Sequence, residues 1–274
     1  MLTITVFPTG IAFYSSLTNL NLLDVEGQKF IGLANYLHLA IDSVLSNSVF
    51  GSIRYTFVVM AVQLVLATAT AVYLNQKFPF RGVLRSIVLL PYVVPSAVVA
   101  LIWIYVFDAN FGVANELLVR AGILSQGVPW LADSRLSVAV VLIATVWNGM
   151  PFMALILLAA LQAIPEEVIE AAIVDGAGAW RRFWRITLPY LMPTIFLLLL
   201  LRTMWLTHYV DLIYLLTNGG PGFANYTVAV YAYLLTSVEF RVGYAGAIAV
   251  VLSLFLLVLA VVYMRQIERS SAYL

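Results

Sequence analysis

Long apolar runs alternate with short polar segments along the whole chain. Six runs reach or approach the roughly 20 residues that a helix needs to cross a hydrocarbon layer. They cover residues 1–17, 49–74, 87–107, 136–161, 191–216 and 244–264. Each is continuous rather than alternating with period two, so helices and not barrel strands are the predicted spanning elements. The pattern predicts an all-α, polytopic bundle of about six spans. The first run is the weakest. It is short, carries Pro8 and Gly10, and has no basic residue before it, which argues against a cleaved signal peptide. Two origins fit it: a start codon placed inside the first helix, or a naturally short helix held by its neighbours.

Composition sharpens this picture. Of 274 residues, 63% are hydrophobic and only 10% charged. Too little polar surface exists to cover a water-soluble globule of this size, so lipid must be the main solvent. The net charge of +1 argues against a nucleic-acid binder. The chain has no cysteine, hence no disulfide, thiolate metal site or cysteine nucleophile. His38 and His208 alone cannot build a zinc cluster, and no catalytic nucleophile–base pair is evident.

Basic residues orient the spans. Lys77, Arg81 and Arg85 follow the second run, Arg181, Arg182 and Arg185 follow the fourth, and Arg265 and Arg269 lie in the tail. The alternate side holds Lys29, Arg120 and Arg135, with Arg54 and Arg241 near span edges. Both termini are therefore expected in the cytoplasm, with outer segments at about 18–48, 108–135 and 217–243. None is large enough for a separate domain of ordinary size, so residues 1–274 are expected to form one transmembrane domain. Pro91 and Pro95 predict a kink in the third span.

One loop, about residues 164–190, departs from the apolar pattern. Pro165 suits a first helical position, and Glu166 and Glu167 follow where carboxylates meet the positive helix end. Gly176 is a natural stop. A helix over 165–175 is predicted, too short and too charged to span. A second over 177–186 should end before Pro189, with Pro193 opening the next span. Val168, Ile169, Ala171, Ala172 and Ile173 give the first helix an apolar side. This is either an ordinary amphipathic loop at the membrane surface or a docking helix for a cytoplasmic partner.

Glu170-Ala171-Ala172, Gly176, Ile186 and Leu188-Pro189, extended by Asp175, Ala177, Trp180 and Phe183, resemble the EAA loop of ABC-importer permeases. Further stretches resemble the carbohydrate branch of that family, in its order. They are Gly32-Leu-Ala-Asn-Tyr36, Arg81-Gly-Val-Leu-Arg85, Leu89-Leu-Pro-Tyr92, Trp147-Asn-Gly-Met-Pro-Phe152, Leu161-Gln-Ala-Ile-Pro165 and Leu216-Thr-Asn-Gly-Gly-Pro221. The likeness covers most of the chain and departs at the N-terminus, where relatives have a cytoplasmic tail and a longer first helix. It implies a type-I importer permease in the cytoplasmic membrane, forming half of a sugar pathway. In such proteins the loop contains a coupling helix seated in a groove of the ATP-binding subunit. The ATPase-coupling residues would be Glu170, Ala171, Ala172, Asp175, Gly176, Leu188 and Pro189. The implied partners are a second related permease, two ATP-binding subunits and an extracytoplasmic solute-binding protein. No GxxxxGK[ST] sequence occurs, so ATP and Mg are expected in the ATPase subunits and no cofactor in this chain.

Polar groups at membrane depth are functional candidates. At about 1.5 Å per residue, Gln63, Asn148 and Arg202 fall near the middle of a layer about 30 Å thick. They could offer donors to sugar hydroxyls, with Trp147 or Trp205 supplying an apolar ring face. They could equally satisfy each other and lock the bundle. His208 and Asp211 share a face of the predicted fifth span, as an outer-gate or structural pair. Within the family, uptake of glycerol phosphate or another polyol is the nearest alternative to a sugar. An ion-coupled secondary transporter would leave the EAA loop unexplained.

Overall fold

The computed structural model describes the backbone of residues 2–271 and the side chains of 6–265. Met1 and the Arg269 side chain, used above, lie outside that range. The described residues form thirteen α-helices, one π turn and no strand; two isolated bridges, Thr18 with Phe30 and Asn21 with Asp24, are the only extended pairings.

In chain order the helices are α1 Leu2–Ser16, α2 Ala34–Leu39, α3 Ser43–Asn75, α4 Arg81–Val93, α5 Ser96–Val106 and α6 Val113–Arg120. There follow α7 Ser134–Gln162, α8 Glu166–Val174, α9 Ala179–Arg182, α10 Leu188–Thr207, α11 Asp211–Thr217, α12 Val228–Ser237 and α13 Val242–Ser271. Four continuous helices are long and apolar enough to cross a membrane: Ser43–Asn75, Ser134–Gln162, Ala179–Thr207 and Val242–Arg265. The pair Arg81–Val93 and Ser96–Val106 makes a fifth if counted as one broken span. The first predicted span is a helix of 15 residues with Pro8 inside it.

Capping explains where the long helices begin. An Asp-Ser pair opens both α3 and α7. Asp42 Oδ1 accepts the Val44 and Leu45 amides at 2.8 and 3.0 Å, and Asp133 Oδ1 accepts those of Arg135 and Leu136 at 2.8 and 2.9 Å. These bonds lower the Asp133 carboxyl below its ordinary value. They carry the helices upstream of the predicted starts at 49 and 136.

Three predicted boundaries are corrected. The third span is not gently kinked. Its two halves meet at a bend of 95°, with Val94 extended (ψ 127°) because the Pro95 ring disfavours helix in the residue before it. The fifth span ends at Thr207, and His208–Val210 are not helical. The predicted stop before Pro189 is absent. The chain stays helical from Ala179 to Thr207, with Pro189 and Pro193 inside the fold of the helix. A π turn at Phe183–Thr187 precedes Pro189, and Leu188 N–H donates back to the Phe183 carbonyl. A wider turn is a known accommodation for a residue that cannot donate its own amide.

The chain packs as two compact units, each assembled from separated segments. The first unit comprises residues 1–56, 100–141 and 204–258. Its core joins Val228, Tyr231 and Leu235 of α12 to Tyr244, Ala245 and Ile248 of α13, with Leu39, Val44 and Leu45 against them. The second comprises residues 57–99, 142–203 and 259–274. Its core stacks Ala67, Ala71 and Leu74 of α3 on Met153, Leu157 and Leu161 of α7 and on Leu191, Ile195 and Leu198 of α10. The two alanines let neighbouring helices approach closely, as small residues do in membrane bundles.

Candidate functional site

Within residues 165–189, α8 is a short helix with a defined stop. Pro165 caps α8 rather than opening it, and Asp175 closes it. Ala177 N–H donates to Ala172 O and Gly176 N–H to Ile173 O, both at 2.9 Å. This is the Schellman closure, and it needs a left-handed residue at Gly176, where φ is +75°. A Cβ at Gly176 would meet nothing within 4 Å, so glycine is required by backbone conformation and not by crowding.

The surface of α8 is suited to a partner. Ala172 is buried and anchors the helix, while Glu170, Ala171, Asp175 and Gly176 are exposed. Ile173 and Val174 are exposed too, Val174 at 87%. Two carboxylates beside two bare aliphatic groups make a small mixed patch. Trp180 and Trp184 follow, both exposed and in edge contact with ring centroids 5.6 Å apart. Leu188 is half-buried and Pro189 exposed at the start of α10.

The midplane residues fall together in the second unit. Arg202 on α10 donates from Nε and Nη2 to Gln63 Oε1 on α3, at 3.1 and 2.8 Å. Gln63 Nε2 donates in turn to the Thr145 carbonyl on α7 at 2.9 Å. Gln63 is 0% and Arg202 7% exposed within the chain. Gly149 is the residue that sequence reasoning missed here. A Cβ on it would overlap Arg202 Nη2 and come within 2.6 Å of Gln63 Nε2, so its absence of side chain makes the space for the cluster. Burying a guanidinium is tolerable only with such partners.

Asn148 does something different. Its Nδ2 donates to the Pro91 carbonyl at 2.8 Å. In an unbroken helix that carbonyl would accept the amide of residue 95, but Pro95 has none. Asn148 therefore satisfies an acceptor that the break in the third span creates. Trp147 is half-buried on α7, and Trp205, at the end of α10, belongs to the first unit. His208 and Asp211 do not share a helix face. His208 lies in the turn after α10, and Asp211 opens α11. Both are exposed, and among the described residues they form neither an ion pair nor a hydrogen bond with each other.

A second polar centre, in the first unit, was not anticipated. Asp42 Oδ2 accepts the hydroxyls of Tyr244 at 2.6 Å and Tyr231 at 2.9 Å, while Oδ1 caps α3. One carboxylate thus ties three helices. Burial raises its affinity for a proton, but the Tyr244, Leu45, Tyr231 and Val44 donors outweigh that and hold the carboxyl below its ordinary value. An aspartate just ahead of an apolar run signals a cap; its distant tyrosine partners leave no local signature.

Comparison with known proteins places these elements. Residues 63–271 match the family described as binding-protein-dependent transport system inner membrane component. The trehalose/maltose transport system permease protein MalF of Thermococcus litoralis is 35% identical over 241 residues, 88% of this chain and 81% of the relative. The sulfoquinovosyl glycerol transport system permease protein SmoG of Agrobacterium fabrum is 33% identical, over 97% of this chain and 85% of that one. The trehalose transport system permease protein SugA of Mycobacterium tuberculosis is 34% identical, over 97% and 84%. Among solved structures, a bacterial ABC transporter that imports the acidic polysaccharide alginate aligns with a TM-score of 0.86 at 22% identity, over 98% of this chain and 91% of that one. The same fold aligns at 0.82 in its complex with an alginate pentasaccharide-bound periplasmic protein.

Proposed function

Because the chain belongs to the binding-protein-dependent transport system inner membrane component family, we propose that it forms half of the pathway by which an ABC importer moves a sugar across the cytoplasmic membrane. Membership makes it a multi-pass membrane permease and not an enzyme. The sugar rests on the relatives, whose names specify trehalose, maltose and a sulfoquinovosyl glycoside. A polyol phosphate would ask for more cationic groups along the path than Arg202, which is already committed to Gln63.

The partners proposed are a second related permease, two ATPase subunits holding ATP and Mg, and an extracytoplasmic solute-binding protein. Both termini, and α8, face the cytoplasm in this reading, in keeping with Arg181, Arg182 and Arg185, which follow α8. One observation carries the coupling role: α8 is a short helix with a Schellman stop that exposes Glu170, Ile173 and Val174 together. Glu170 would make a charge-assisted bond to a basic group in the ATPase groove, with the aliphatic pair beside it.

The test uses the reconstituted complex. Glu170→Ala and Val174→Asp should each lower ATPase retention on the permease and lower ATP-driven uptake together, while binding of the solute-binding protein persists. Full retention and full uptake in both variants would sink the coupling assignment. The substrate is read separately, by titrating the solute-binding protein that docks on this permease with trehalose, maltose and glycerol phosphate.

A further inference from the structure

Residues 166–182, which hold α8 and α9, stand apart from the core of the second unit. That core takes Ile164 just ahead of them and Leu188 beyond them, and none of the side chains between. The segment joins the rest of the unit at two places where the α-helical ladder is interrupted. Residues 163–165 separate α7 from α8, and the π turn Phe183–Thr187 follows α9. Inside, the segment is braced. The Schellman closure at Gly176 fixes the end of α8, and Arg182 Nη1 donates to the Ala177 carbonyl at 2.6 Å, which ties α9 to the turn before it. A segment braced within and interrupted at both joints changes position as one piece, because the joints absorb the change in backbone angles.

Room for such a change lies beside it. A cleft of about 630 Å³ is lined by Val72, Asn75 and Lys77, at and just past the end of α3, and by Glu166, Ile169 and Ala179 of the segment. An ion pair joins these two sets. Lys77 Nζ lies 3.5 Å from Oε1 of Glu166, the first residue of α8. The pairs of Glu116 with Arg120 and of Glu239 with Arg241 are local, four and two residues apart, whereas Lys77 and Glu166 belong to separate elements. Both side chains are exposed, at 88% and 81%. A pair so placed shifts an equilibrium by no more than about fivefold. That is little for the stability of a fold, and enough to bias a small segment between two positions.

We propose that Lys77 is a positioning residue for α8: through Glu166 it sets the stance of the 166–182 segment over the cleft. Glu166 also serves α8 by placing a carboxylate at the positive end of the helix, so exchanging the two charges is more informative than removing one. The tether itself needs only the contacts of this unit. Its consequence for transport rests on the coupling role proposed above for α8.

Nitroxide labels at Asn75→Cys and Ala179→Cys report the width of the cleft in the assembled transporter. Both sites are exposed, and this chain has no cysteine of its own; the partner subunits are used with theirs replaced. One short distance should dominate in the otherwise wild-type protein. Lys77→Glu should raise the share of longer distances about fivefold, and Glu166→Lys at least as much. Both side chains are exposed, so neither change threatens folding. The two changes together should return the distances toward wild type, and Lys77→Arg should leave them as they were. Salt at about 1 M should act on the wild type as Lys77→Glu does, because the screening length then falls to about 3 Å. ATP hydrolysed per sugar imported, measured on the unlabelled transporter, should rise in each single charge reversal and recover in the exchanged pair. Distances unmoved by Lys77→Glu, or not restored by the exchange, overturn the proposal. Distances that follow the pattern while the ratio of ATP to sugar stays constant leave the tether standing and count against the coupling role of α8.

Discussion

Gly149 shows how much a single missing methyl can decide. The guanidinium of Arg202 and the amide of Gln63 occupy the volume that a Cβ would claim. Gly149→Ala should therefore destabilise the assembled transporter by about 1–3 kcal/mol, the ordinary cost of overpacking. Arg202→Ala should do so by at least as much, because Gln63 Oε1 would lose both its donors in a buried site. Thermal unfolding of the detergent-solubilised complex checks both. The informative variant is the pair Gln63→Leu and Arg202→Leu together, which should cost less than the two single changes summed. Arg202→Ala with normal assembly, normal thermal midpoint and altered transport kinetics would instead put Arg202 on the substrate path. Sequence placed Gln63 and Arg202 at similar depth but could not pair them. They lie on different helices, and depth alone says nothing about which faces meet. Gly149 was visible only as part of a motif, since a glycine that makes room looks like any other glycine until its neighbours are known.

At the scale of elements, start signals were legible and breaks were less so. Pro165 and Gly176 act locally, and α8 lies within one residue of its predicted limits at both ends, whereas the equally local Asp-Ser caps start α3 and α7 ahead of the predicted positions. Two of the failures occurred where a proline had two outcomes, and another at Thr207, where the fifth span ends without one. Pro95 broke its helix through 95°, whereas Pro189 and Pro193 sit inside a continuous one. What separates them is the surrounding support: a distant Asn148 amide serves the first break, and a π turn absorbs the second. Asn148→Leu should leave the Pro91 carbonyl without its donor and cost about 1–3 kcal/mol, read as a lower thermal midpoint. At Gly176, where space is open, Gly176→Ala should cost about 1–2 kcal/mol of left-handed strain. It should reduce uptake more than it reduces permease yield, because the strain falls on the orientation of α8. Asn, which tolerates that conformation, should recover most of the loss. Equal uptake by the Gly, Ala and Asn proteins would remove the Schellman closure from the coupling account.

For the molecule as a whole, acidity offers a test of the first unit. Asp42 binds its proton less readily than the ordinary carboxylate value of 3.8. Its contribution to stability is thus fully present above about pH 3.8 and is lost as pH falls below that, through the lowered value of the folded protein. Removing Tyr231 and Tyr244 hydroxyls by Phe substitution should cost about 1.5 kcal/mol each at neutral pH, as hydrogen bonds to a charged group do. That difference from wild type should shrink only below about pH 3.8. A difference that stays constant to lower pH would mean that the hydroxyls do not depend on the Asp42 charge. His38 and Arg241 also face the Tyr244 ring, at 5.0 and 4.8 Å. The class of fold, the membrane setting and the short helix at Glu166–Val174 were legible because apolar run length and local motif are one-dimensional properties. The division into two compact units was not, since each is gathered from segments far apart in the chain.

The π turn at Phe183–Thr187 sets a phase. Each residue of an α-helix advances about 100° around the axis, and a π turn holds one residue more than the α turn it replaces. Trp180 and Trp184 before or within it, and Arg202 beyond it, therefore point in directions that differ from an uninterrupted helix by about that angle. The turn acts like an angular coupling on a shaft. It lets the aromatic pair keep its exposed azimuth while Arg202 keeps the azimuth that meets Gln63. Removing one residue here, or replacing Pro189 by a residue that can donate its amide, would let the helix regularise and would force one of those two azimuths to turn away.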